Sequence, residues 1–93
     1  MPMHLEIDGN ALPSKAAFHS AVREASGVEW YGGSLDGLFD VLVAACEPPL
    51  ALRWRNLDAS RARIGSRIDR IVQVLLDAEA ERGPSLFTLA LER

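Results

Sequence analysis

Along this 93-residue chain the hydrophobic positions repeat with a period of either two or about 3.6, and the switches between the two mark its elements. His4-Leu5-Glu6-Ile7 alternates and runs into Asp8-Gly9-Asn10, which predicts a short strand and a turn. Ser14 is placed to cap a helix running to about Ser26, with Phe18, Ala21, Val22 and Ala25 on its apolar face and Gly27 as its stop. His19 lies off that face and reads as an exposed helix residue. Ser34 caps a second helix, whose apolar face is Leu35, Leu38, Leu42 and Ala45 and which ends by Glu47 because Pro48-Pro49 cannot continue it. Leu50-Ala51-Leu52-Arg53-Trp54 alternates again as a strand. Asp58 or Ser60 opens a short helix to Ile64, broken by Gly65. Ser66 with Asp69 forms a weak capping box for a helix reaching Arg82, with Ile68, Ile71, Val72, Leu75 and Ala78 facing the core. Gly83-Pro84 ends it. Residues 86–91 are almost continuously apolar, the pattern of a strand covered on both faces.

The order is β-α-α-β-α-α-β. Strands separated by helical crossovers pair in parallel, so the expected architecture is α/β, a three-stranded parallel sheet packed with helices. The length predicts a single domain over residues 1–93.

Composition narrows the function classes. At 48% hydrophobic the chain can form a core, yet no apolar run approaches a membrane span, so no membrane role is expected. No secretory leader is visible at Met1-Pro2-Met3-His4, and a cytoplasmic location is the simplest expectation. The one cysteine, Cys46, falls near the apolar helix face and reads as a small buried filler. No Cys/His cluster has metal-ligand spacing, so neither metal nor cofactor is expected. The net charge of −3 is unevenly spread: −5 over residues 1–52, +4 over 53–70 and −2 over 71–93.

The stretch Trp30-Tyr31-Gly32-Gly33-Ser34-Leu35-Asp36-Gly37-Leu38-Phe39-Asp40 draws attention within this pattern. Opposite the apolar face of its helix, Asp36, Asp40, Val43 and Glu47 share a side that holds no lysine or arginine. Asp36 gains from the helix dipole in the first turn. Asp40 lies beyond it and repels Asp36 at i,i+4, at a few tenths of a kcal/mol. Gly37 leaves the backbone bare between them, at up to about 1 kcal/mol against alanine. An acidic face beside a bare spot, flanked by Trp30, Tyr31 and Phe39, suits a basic partner; the plainer reading is a solvated helix face.

Catalysis fits poorly. Two carboxylates work as acid and base only when their environments differ, and no nucleophile set or phosphate loop accompanies this pair. The arginines Arg53, Arg55, Arg61, Arg63, Arg67 and Arg70 raise nucleic-acid binding, but the domain is net acidic and its exposed aromatic candidates lie beside the acids. They read as a solvated, partly paired surface, with Asp58, Asp69 and Asp77 as partners.

The run Tyr31-Gly32, Ser34-Leu35-Asp36, Leu38-Phe39-Asp40 resembles the barstar family, intracellular protein inhibitors of bacterial ribonucleases. The likeness extends through Pro49-Leu50, Leu52 with Trp54-Arg55, Val72-Gln73-Val74, and Ala78 with Ala80-Glu81. It implies the same α/β fold and a mechanism in which helix carboxylates take the place of RNA phosphates in a ribonuclease active site. On that resemblance Asp40 matches the central acid and Asp36 the second one. Trp30 falls where a tyrosine covers the active-site histidine, Gly32 matches a loop glycine, Phe39 replaces a tryptophan, and Asp77 stands for a glutamate in a peripheral ion pair. Val43, on the acidic side of the helix, completes the expected contact set. Gly33 and Ala45 depart from the founding member, which has an acid and a tryptophan there, so the rim is thinner than the centre.

The sequence therefore predicts a non-enzymatic inhibitor, monomeric when free. Its expected partner is a basic ribonuclease or related toxin domain, with no direct nucleic-acid contact. The alternative is a binding or immunity domain of the same fold that docks a different basic protein.

Overall fold

The computed structural model describes residues 2–93. The elements come in the expected order: β1 (His4–Asp8), α1 (Lys15–Ser26), α2 (Leu35–Asp40) continuing into a π turn (Val41–Ala45), β2 (Leu50–Arg55), α3 (Leu57–Ile64), α4 (Ile68–Arg82) and β3 (Phe87–Leu91). The strands form one parallel sheet with β2 in the centre, β1 and β3 at the edges. Leu5, Leu52 and Leu89 align across it, as do Ile7, Trp54 and Leu91. These rows face the helices. Glu6, Arg53 and Ala90 form a row on the other face, where Arg53 pairs with Glu6 at 3.6 Å and Glu92 at 3.1 Å.

One face of the sheet is thus packed and the other wet, and this corrects the expectation for residues 86–91. β3 is an edge strand: Phe87 is buried, Thr88 exposed and the rest intermediate, while Leu86, just before it, stays 41% exposed. A continuous apolar run marks double coverage only in strands flanked on both faces, and the helices here leave the outer face open.

Trp54 anchors the packed face. It is fully buried, stacks on Phe18 with ring centroids 4.9 Å apart, and donates its indole N–H to the Ser60 hydroxyl at 3.0 Å. Ser60 in turn reaches the Gly9 carbonyl at 3.4 Å. It therefore serves as a buried link and does not start α3, which begins behind Asn56 in a left-handed conformation (φ 56°). A side chain at Gly9 would overlap the Asn56 carbonyl, so the strand-end contact needs glycine. The Ser66/Asp69 capping box does not form either. Asp69 gives its carboxylate to Arg61 at 2.8 Å, and α4 starts at Ile68 with no side-chain cap.

Trp54→Ala is expected to cost about 3–5 kcal/mol by losing both the buried ring and its hydrogen bond to Ser60. Denaturant unfolding measures it; a loss below about 1 kcal/mol would contradict this assignment of the core.

Candidate functional site

The loop before α2 is built by three local constraints. Ser34 accepts a hydrogen bond from the Gly37 amide at 2.9 Å, the expected helix cap. Tyr31 is 2% exposed and its ring lies over Gly37, where a Cβ would come within 3.3 Å of it and 2.8 Å of the Ser34 hydroxyl. The bare spot inferred at Gly37 is therefore closed in by the chain's own Ser34 hydroxyl and Tyr31 ring, and Tyr31 belongs to the core instead of the flanking surface. Gly33 has φ 95° and sits against the His19 ring, two reasons for glycine there. The Tyr31 hydroxyl hydrogen-bonds His19 Nδ1. His19 is thus half-buried, contrary to the exposed position expected, because the loop folds back onto α1. Burial pushes the Tyr31 phenol up to about 12 and, with Lys15 adding to it, draws the His19 imidazole below its ordinary value.

Past Asp40 the helix widens. Cys46 donates its amide to the Val41 carbonyl at 3.0 Å, one residue further than in an α-helix. The inserted residue rotates the buried side to Leu38, Val41, Leu42 and Cys46 and pushes Ala45 into solvent. That corrects the expected apolar face ending at Ala45; the helix itself stops at Ala45, within the expected limit of Glu47. Cys46 is the buried filler expected, with its thiol pushed up by burial.

Arg82, at the end of α4, holds this wide turn. Its guanidinium donates to the Leu42 carbonyl at 3.0 Å and the Cys46 carbonyl at 2.7 Å, acceptors a regular helix end would leave to solvent. α2 and α4 pack together, so the clamp fixes the acidic segment to the helix beside it. The sequence reading missed Arg82; its only trace is a cation at the end of a helix whose own C-terminus it does not cap.

On this frame Asp36 and Asp40 are both exposed, one turn apart on α2, with Cβ atoms about 6 Å apart by helix geometry. Neither has an ion pair or side-chain hydrogen bond among the described residues. Trp30 is 62% exposed, a large apolar side chain held in water. Gly32 is exposed with open space where a Cβ would stand. Phe39 and Val43 are half-buried and pack on the core with one side outward. These six residues form one continuous segment. Asp77 comes from α4, is exposed, and accepts from Gln73 at 2.9 Å; no bond ties it to that segment.

α2 thus carries two exposed carboxylates without a partner among the described residues, behind an exposed tryptophan. The sequence profile described as Barstar (barnase inhibitor) matches residues 3–92, and the chain belongs to the Barstar family. It is also similar to the Bacillus subtilis (strain 168) protein named "Putative ribonuclease inhibitor YrdF", with 29% identity over 76 residues, 81% of this chain and 84% of that one. No helix among the described residues is long and apolar enough to cross a membrane, and no group of His, Cys, Asp and Glu among them is arranged to hold a metal ion.

Arg82→Met removes two charge-assisted bonds and keeps most of the apolar stem. It is expected to destabilise the domain by about 1–3 kcal/mol. Faster amide exchange should appear first at residues 42–46, read by hydrogen-exchange mass spectrometry; uniform loss across the sheet would contradict a local clamp.

Proposed function

We propose that this protein inhibits a barnase-like ribonuclease by seating α2 and its leading loop in the enzyme's active site. One observation carries the proposal: Asp36 and Asp40 stand exposed, one turn apart, without an ion-pair partner among the described residues. Ribonuclease active sites collect arginine, lysine and histidine to hold RNA phosphates. Carboxylates fixed one helical turn apart offer those groups acceptors for charge-assisted, often bidentate bonds. Rigidity matters because the segment is held before docking by Tyr31 over Gly37 and by the Arg82 clamp, so little order is lost on binding. Trp30 and Gly32 extend the contact at the loop, where a large exposed aromatic suits a central anchor. Phe39 and Val43 supply the apolar edge, and Asp77 a peripheral charge. The family membership and the name of the Bacillus relative support the same class of activity.

Docking to a basic protein other than a ribonuclease is the alternative. It is favoured by the thin rim, where Gly33 carries no side chain and Ala45 is a small exposed residue on the π turn.

The two roles of Asp40 separate in one variant. Asp40→Ala removes the repulsion with Asp36 and raises helix propensity, so the free domain is expected to gain a few tenths to about 1 kcal/mol. Inhibition of RNA cleavage by barnase should weaken by several kcal/mol, a scale set by the barnase–barstar pair itself, on which such interface charges have been measured. Trp30→Ala should also weaken inhibition while leaving the unfolding midpoint nearly unchanged. An Asp40→Ala protein that unfolds more easily and inhibits normally would show a structural aspartate and sink the proposal.

A further inference from the structure

The arginine-rich stretch has a second side that the inhibitory segment leaves unused. Among its six arginines, Arg53 pairs with Glu6 and Glu92, and Arg61 with Asp58 and Asp69. Arg63 donates to the carbonyls of Asn10 and Leu12, and Arg55 lies near enough to Asp8 to help hold that carboxyl below its usual range, after hydrogen bonds from Asn56 and Asn10. Arg67 and Arg70 have no partner among the described residues, and neither does Lys15 on α1.

These three unpaired cations line the same cavity. It measures about 620 Å³, lies between α1, the start of α2 and α4, and is bordered also by His19, Ser34 and Ser66. No aspartate or glutamate lines it. Two smaller hollows adjoin through Lys15 and add Arg23 on one side and Arg63 on the other. Three like charges around one concavity raise the local positive potential, which low-dielectric walls focus. The volume lies inside the range of about 300–1,000 Å³ for small-molecule sites. Guanidinium groups and hydroxyls are the donors that hold phosphate oxygens.

We propose that this cavity binds a small organic polyphosphate, the diphosphate group lying between Arg67, Arg70 and Lys15. A polynucleotide fits less well, because His19 is the only aromatic ring on the lining and no stacking platform is present there. The cavity shares Gly33, Ser34 and Leu35 with the loop and start of α2, but none of Asp36, Asp40 and Trp30 borders it, so its cations are distinct from the groups assigned to ribonuclease inhibition.

Isothermal titration calorimetry of the full chain at low salt tests it, with inorganic pyrophosphate, ADP and an eight-nucleotide RNA as probes. Pyrophosphate and ADP are expected to bind one per chain. Equal affinities would mean that the diphosphate alone is read, and tighter ADP would mean that the nucleoside is read as well. R67Q/R70Q should weaken both about tenfold or more, and R67K/R70K should recover part of the loss. Both arginines are exposed, so the unfolding midpoint of R67Q/R70Q without ligand should match the parent protein. No heat with either small probe, equal binding by R67Q/R70Q, or binding of the RNA alone would overturn the proposal.

Discussion

The contact of Tyr31 with Gly37 is the constraint on which the acidic segment depends. The Ser34 cap hydroxyl stands 2.8 Å from where a Cβ would be and the Tyr31 ring 3.3 Å, which explains why a residue of poor helix propensity stands between the two aspartates. The Tyr31 hydroxyl, joined to His19, ties the loop to α1. At the other end Arg82 ties the π turn to α4. Between these two fixings α2 presents charges that its own stability does not need. A short helix with like charges one turn apart is a poor helix in isolation, and here tertiary packing carries it.

Much of this was legible in the residues. The period-2 and period-3.6 runs located most of the elements, because alternation at Leu50, Leu52 and Trp54 and the row Ile68, Ile71, Leu75, Ala78 directly reflect burial, while α3 showed only through its cap and Gly65 and β3 only as an apolar run. What failed to show was anything decided by partners far along the chain. Ser60 looks like a helix start until Trp54 and Gly9 meet it in the core. His19 looks exposed until a loop twelve residues later folds onto it. The π turn has no signature of its own, so Ala45 was placed inside by extending an α period that stops at Asp40. For the site, Asp40 stands out because its charge conflicts with the needs of the helix, whereas Asp36 is ordinary in a first turn and Trp30 and Gly32 are picked out by the resemblance to the family. Gly37 also conflicts with helix propensity, but the reason lies inside the molecule, in the Ser34 hydroxyl and Tyr31 ring, and not in a partner.

Two sets of charges stand without a partner among the described residues and close to one another in the fold: Asp36 and Asp40 on α2, and Lys15, Arg67 and Arg70 around the hollow among α1, the start of α2 and α4; most of the remaining arginines are held by acids or carbonyls of their own neighbourhood. Surface ion pairs of the latter kind contribute little to stability and leave the outer face of the sheet solvated. Asp36 with Asp40, and Lys15 with Arg67 and Arg70, are charges that the fold groups together without a partner among the described residues, on helices held by packing.

If α2 fills the active site of a ribonuclease, it must exclude small ligands of that site. The direct measurement is the affinity for barnase in rising concentrations of a mononucleotide that occupies the enzyme's phosphate subsites. The account predicts an apparent Kd that climbs in proportion to nucleotide concentration, through a slower apparent on-rate, and a complex that cannot hold both. A tight complex whose affinity is unchanged by saturating nucleotide would place the contact elsewhere and contradict the role given to Asp36 and Asp40.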